Sequence, residues 1–197
     1  MKIAILGWGS FLWEENREFD KRHEPKWKCD GPKLKIEFSR VSASRQGALT
    51  LVIDEENGSP TEVAWCLSKR QSVEDAICDL RCREGTTAKN IGCVIVSERP
   101  DPPAPQGSIQ AITDWAREKA KEKKADAVIW TALRSNFKDK TETAFSVGNA
   151  VAYVKKLDPC GKAKAAEYVW RAPEFVRTPV RSALQQEPWF SEVKTPA

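Results

Sequence analysis

The chain has 197 residues and a mass of 22.1 kDa, which predicts one domain or a domain with an appendage. Hydrophobic residues make up 41%, charged residues 30%, and mean hydropathy is −0.53. A chain of this size hides roughly 70% of its extended surface on folding, so it needs no disulfide or metal staple, and it is too apolar for disorder. Its apolar runs, such as Ile3–Leu6, are too short to span a bilayer. The Met1–Gly7 start is too short for a signal-peptide core, so the expected compartment is cytoplasmic.

With 32 basic and 28 acidic residues the formal net charge is +4. Between Lys155 and Arg181 there are seven basic and three acidic residues, so that stretch alone supplies the surplus. It reads either as a solvated helical face or as a polyanion site, and the predicted pI of 8.7 falls short of a nucleic-acid binder's usual footprint. The six cysteines (29, 66, 78, 82, 93 and 160) contain no CxxC pair. Cys78 and Cys82 have helical i, i+4 spacing, but with His23 the single histidine no zinc site is expected. Cys66 and Cys93 fall in apolar runs and read as core fillers.

In chain order, β-branched and aromatic enrichment predicts strands at Lys2–Leu6, Leu34–Ser39, Ala48–Ile53, Val63–Leu67, Ile91–Val96 and Ala127–Thr131. Helical periodicity predicts Ser72–Arg83, Ser108–Lys123, Thr143–Leu157, about Ala163–Arg171 and about Val176–Gln185. Four prolines (100, 102, 103 and 105) mark a connector between a β-rich first half and a mainly helical second half. Many strands with few intervening helices favour an α+β domain with a mixed or closed sheet over a doubly wound one.

Lys2–Ser10 reads as a buried strand ending in a glycine loop, Gly7-Trp8-Gly9-Ser10. A dinucleotide site wants G-x-G-x-x-G, and here the third position is Leu12. Two glycines let the backbone turn sharply, and Ser10 could cap a short helical turn through Phe11-Leu12-Trp13. The exposed N–H groups of such a turn form a nest for a carboxylate or carbonyl oxygen; a ligand-free strand-to-helix turn is the equal alternative.

Ser72 and Asp75 form a capping-box-like helix start, and Val73, Ala76, Ile77 and Leu80 trace an apolar face. Eleven residues beyond Val73, Glu84 returns to within about 20° of that stripe, just before a helix-ending Gly85. A carboxylate thus stands where a core residue is called for. Burial raises a carboxyl's pKa toward neutrality, the tuning a general acid/base needs. The alternative is a helix that frays at Arg83, leaving Glu84 in solvent or paired with Arg81 or Lys89. A Ser10–His23 nucleophile pair lacks the G-x-S-x-G elbow. Arg40 and Arg45, flanking a serine-rich turn, are candidates for bidentate binding of a substrate carboxylate. The eight tryptophans are scattered and read as packing.

Gly7-Trp8-Gly9-Ser10-Phe11-Leu12-Trp13 after a first strand resembles the Y-G-S-x-L loop of the γ-glutamylcyclotransferase-like superfamily, in particular the G-Y-G-S-L-I-W form of its glutathione-degrading branch. Leu34–Arg40, Arg45–Val52 and Thr61–Ser68 look like the family's following strands, and Leu80–Gly85 is similar to its L-x-x-x-E-G segment. The resemblance covers roughly residues 1–100. It implies an α+β fold with a small mixed β-barrel over 1–133, carrying the proline-rich loop (100–106) and the helix at 108–123 as an insertion. Residues 134–197 would be a helical extension packed on the same domain. The implied activity is a cyclotransferase (acyltransferase or lyase) reaction on a small γ-glutamyl substrate, with no metal and no cofactor; from run length and charge, no membrane partner is expected and nucleic acid is disfavoured. It implies Glu84 as general acid/base and the loop Gly7, Trp8, Gly9, Ser10, Phe11 and Leu12 as the glutamyl-binding segment; Arg40, read from its place beside the turn, is expected as a further substrate contact. Trp8 stands for the family's usual tyrosine, Phe11 for its asparagine or leucine, and Ile91 near a downstream tyrosine.

Overall fold

The computed structural model describes residues 1–97 and 106–193. The strands are β1 (Ile3–Gly7), β2 (Lys33–Val41), β3 (Leu49–Ile53), β4 (Ser59–Glu62), β5 (Ala64–Leu67), β6 (Ile91–Ile95) and β7 (Ala127–Thr131). The α-helices are α1 (Arg17–Asp20), α2 (Val73–Glu84), α3 (Gln106–Lys121), α4 (Phe137–Thr141), α5 (Val147–Lys156), α6 (Pro159–Arg171), α7 (Pro179–Gln186) and α8 (Pro188–Ser191). The α+β class is therefore observed. Among the described residues the strands form two sheets, in the orders β5-β1-β7-β6 and β3-β2-β4, and neither closes into a barrel. The connector prolines 100, 102, 103 and 105 lie outside the described residues.

The chain divides into two compact units, Met1–Leu34 with Glu62–Leu133, and Lys35–Thr61 with Arg134–Ala197. The first holds the four-stranded sheet. Its central strands β1 and β7 run parallel, with Ile3 beside Ala127 and Ile5 beside Ile129, while β5 and β6 flank them antiparallel. All of β1 is buried; a strand covered on both faces reads as a continuous apolar run. Ile3, Ile5, Cys66, Ala127 and Ile129 form one core with Val73, Ala76 and Leu80 of α2. Full burial of a side chain like Leu80 stabilises by about 2 kcal/mol, more than any helix-propensity difference along α2. On the opposite face Trp65, the register partner of Leu6, meets Trp115 of α3 edge-on with ring centroids 5.3 Å apart.

The second unit combines the three-stranded sheet with α4–α8. Glu37 is fully buried on β2, and its carboxylate accepts the N–H of Phe38 (2.7 Å) and that of Val180 (3.3 Å) in the first turn of α7. Arg181, 8% exposed, donates to the carbonyls of Ala172, Pro173 and Val176 at 2.6–2.7 Å. It thereby satisfies chain that leaves the end of α6. Lys164 and Arg171 each pair with Glu167. Several charges of the basic stretch are thus spent on the fold.

Other elements differ from the sequence expectation in instructive ways. Pro60 and an unpatterned Ser-Pro-Thr-Glu hide β4, which lies at a sheet edge, where a proline is tolerated. The helix expected from Thr143 starts at Val147, because the Ser146 side chain accepts the Asn149 N–H and caps it there. Helices α4 and α8, of five and four residues, are too short to show a period.

Candidate active site

Helix α2 holds its helical form through Glu84 and does not fray at Arg83. The Ser72 hydroxyl accepts the Asp75 N–H at 3.3 Å. At the other end the N–H of Gly85 is directed to the Arg81 and Cys82 carbonyls, and that of Thr86 to Arg81. Capped at both ends and anchored by Val73, Ala76 and Leu80, the helix keeps Glu84 in line with the buried stripe. Its side chain is 16% exposed.

The Glu84 carboxylate pairs with Arg83. Arg83, whose side chain is 7% exposed, is the hub of the site. Nη1 donates to Glu84 Oε1, and Nη2 lies 3.5 Å from Ser10 Oγ and 3.9 Å from Glu14 Oε2. The guanidinium carbon sits 4.0 Å from the Phe11 ring centroid, a cation–π contact worth about 1 kcal/mol when partly desolvated. Arg83 therefore links the helix end to the glycine loop.

In that loop, Gly9 has φ 65°, a left-handed conformation that favours glycine. Gly7 faces the Trp27 indole, and a Cβ there would come within 2.6 Å of a ring carbon. The turn itself is a 3-10 helix, Gly9–Leu12, whose N-cap is Trp8. Ser10 is thus a member of the turn and not its cap; its carbonyl accepts the N–H groups of Trp13 (3.3 Å) and Glu14 (2.9 Å). Trp8 and Ser10 are buried and Leu12 is partly buried. Phe11 packs edge-on against Phe19 and Trp27, each with ring centroids 6.0 Å away.

The remaining candidates lie elsewhere. Arg40 belongs to the second unit, where it donates to the Arg134 carbonyl at 2.8 Å and where burial lowers its pKa. His23 is buried among Phe19 and Trp27; Nδ1 lies 2.6 Å from the Glu24 carbonyl and Nε2 3.5 Å from Asp20. Its nitrogens are thus engaged locally. Cys78 and Cys82 are exposed, and no group of three His, Cys, Asp or Glu side chains among the described residues could hold a metal. Cys66 is fully buried, and burial pushes its thiol pKa far up, so it is inert packing. A hollow of about 440 Å³ lined by Met1, Ile95, Val96, Ser97, Ala120 and Asp126 lies at the amino ends of β1 and β7, away from the glycine loop. Its acidic member accepts the Lys2 N–H at 2.7 Å.

No protein-family model, curated protein or solved structure matches this chain. The site must speak through its own chemistry.

The residue that sequence reasoning passed over is Arg83. Its signal was present: it stands seven residues beyond Ala76, two full helical turns along the buried face. Chemically the cluster offers a shielded carboxylate, a guanidinium that ties it to Ser10 and Glu14, and a turn of backbone amides beside them.

Proposed function

We propose that the protein is a γ-glutamylcyclotransferase-like enzyme acting on a small γ-glutamyl amine or peptide. The observation that carries this reading is the shielded Glu84 carboxyl at the end of α2, coupled through Arg83 to the Gly7–Leu12 loop. In the reaction the α-amine nitrogen of the substrate attacks its own γ-carbonyl carbon. Glu84 takes the proton from that amine and delivers it to the leaving nitrogen as the amide C–N bond breaks, giving 5-oxoproline and the free amine. The loop N–H groups stabilise the oxyanion, a role worth about 3 kcal/mol for one preorganised donor. Among the described residues the sheet is open, unlike the superfamily's barrel; what supports the reading is that β1 is central with the glycine loop at its carboxyl end.

The test is release of 5-oxoproline from a panel of γ-glutamyl amines and peptides. Turnover by the wild type should fall by about 10²–10⁴ in kcat in Glu84→Gln, the usual contribution of a positioned acid/base. Unchanged turnover in Glu84→Gln removes the mechanism, and no 5-oxoproline from any substrate removes the activity. One observation favours a second reading, a binding module without catalysis: Arg83 already occupies the Glu84 carboxylate. Saturable binding of γ-glutamyl compounds without turnover is its signature.

A further inference from the structure

Thr131 ends β7 with its side chain 7% exposed as a residue, and its hydroxyl finds no hydrogen-bond partner among the described residues. Burying a hydroxyl without a partner costs about 1–3 kcal/mol, and a valine of the same shape would fill this strand position without that cost. The hydroxyl therefore invites a use other than packing.

Register shows what it faces. Thr131 is directly opposite Ile91 on β6, and Ile91 belongs to the core shared with α2; directly opposed residues of an antiparallel pair point to the same face. Thr131 thus projects from the face that α2 covers. Ile5 pairs in parallel with Ile129, the last register pair of β1 and β7, and each strand runs two residues further, to Gly7 and to Thr131. The end of α2 arrives at the same place. Only a short link separates Glu84 from β6, and the Ala132 N–H donates to the Asn90 carbonyl at 2.8 Å. Arg83 completes the ring by reaching Ser10. An orphaned hydroxyl and a glycine loop therefore stand at the carboxyl ends of the two parallel strands, and the end of α2 reaches that loop through Arg83, which also holds the shielded Glu84 carboxylate.

We infer that Thr131 is a substrate-positioning residue whose hydroxyl donates to the α-carboxylate of an amino-acid head group held between the Gly7–Leu12 loop and the Arg83–Glu84 pair. The inference rests on the γ-glutamyl reading and adds the group that would distinguish a glutamyl head from its decarboxylated counterpart.

The experiment measures binding by calorimetry and, where turnover occurs, KM and kcat. The probes are γ-glutamyl-alanine and 4-aminobutyryl-alanine, which keeps the alanine carboxylate and lacks only the glutamyl α-carboxylate. Binding is measured in Glu84→Gln, so that turnover does not interfere, alone and combined with Thr131→Val or Thr131→Ser. Thr131→Val should weaken γ-glutamyl-alanine about tenfold or more, the loss for a hydrogen bond to a charged group. It should leave 4-aminobutyryl-alanine unchanged and leave kcat of the single variant within about threefold. Thr131→Ser should restore most of the preference, and circular dichroism should show both variants folded. Equal losses for both probes, or no loss for either, overturns the assignment. If the wild type binds γ-glutamyl-alanine but releases no 5-oxoproline, the reaction fails while binding still decides Thr131. If it binds neither probe, both readings fall.

Discussion

Replacing Glu37 by glutamine should destabilise the protein, and more so in acid than at neutral pH. The native carboxylate accepts two backbone N–H groups, from Phe38 and Val180, and a hydrogen bond from the Thr178 side chain. Glutamine offers a single acceptor oxygen, so at least one of those two N–H groups must face an amide NH₂. An unmade buried hydrogen bond costs about 1–3 kcal/mol. Loss of a negative charge near the first turn of α7 adds about 0.5 kcal/mol. Part of this is returned, because the variant no longer buries a charge. Desolvation dominates in the wild type and raises the Glu37 pKa, assisted by the nearby Asp54 carboxylate. The net expectation at pH 7.5 is about 1–2 kcal/mol.

The raised native pKa sets the sign of the pH dependence. Between the unfolded value near 4.5 and the higher folded value, the native state holds the extra proton. The stability contributed by this group is full below the unfolded value and is lost as pH rises through the folded one. Each unit of elevation is worth about 1.4 kcal/mol. Urea unfolding of wild type and Glu37→Gln at pH 4.5 and 7.5 should therefore show the larger difference at pH 4.5. A difference that grows toward pH 7.5, or a variant more stable than wild type at pH 4.5, would refute the reasoning.

Two further outcomes follow from buried arginines. Arg83→Met strips the Glu84 carboxylate of its ion pair and should cost about 2–3 kcal/mol in urea unfolding, whereas Arg83→Met combined with Glu84→Gln should cost less than the two single changes added together. Simple additivity would show that the pair is not coupled. Arg181→Met leaves three carbonyls without their donor, and charged hydrogen bonds of this kind predict a loss of about 3 kcal/mol or more, read as a fall in Tm by calorimetry. A loss below about 1 kcal/mol would mean that water replaces the guanidinium fully.

The sequence by itself determined most of the secondary structure and singled out Glu84 as a candidate. Continuous apolar runs at Ile3–Leu6 and Ala127–Thr131 announce central strands, because a strand covered on both faces needs apolar side chains at every position. The Ser72 cap, the Val73–Leu80 stripe and Gly85 bracket α2 and put Glu84 in line with its buried face, but whether the helix holds through Glu84 or frays at Arg83 was decided by the structure. Local signals fail where structure is not periodic or not apolar, as in edge strand β4 with Pro60 and the single-turn helices. Only tertiary structure could decide partners. Adjacent residues on a helix point 100° apart, so nothing in Arg83-Glu84 says that Arg83 reaches back 73 positions to Ser10. Glu37 on a predicted strand and Arg40 just beyond its end look alike as charged residues in the sequence. Pairing with the start of α7 makes one a buried anchor, while the other reaches the Arg134 carbonyl in the second unit, outside the unit that holds the glycine loop. Thr131 carries no signal as a letter. It becomes informative only when strand register sets it opposite Ile91 on the face that α2 covers and burial leaves its hydroxyl unpaired, because hydrogen-bond satisfaction is a property of three-dimensional neighbours and not of sequence neighbours.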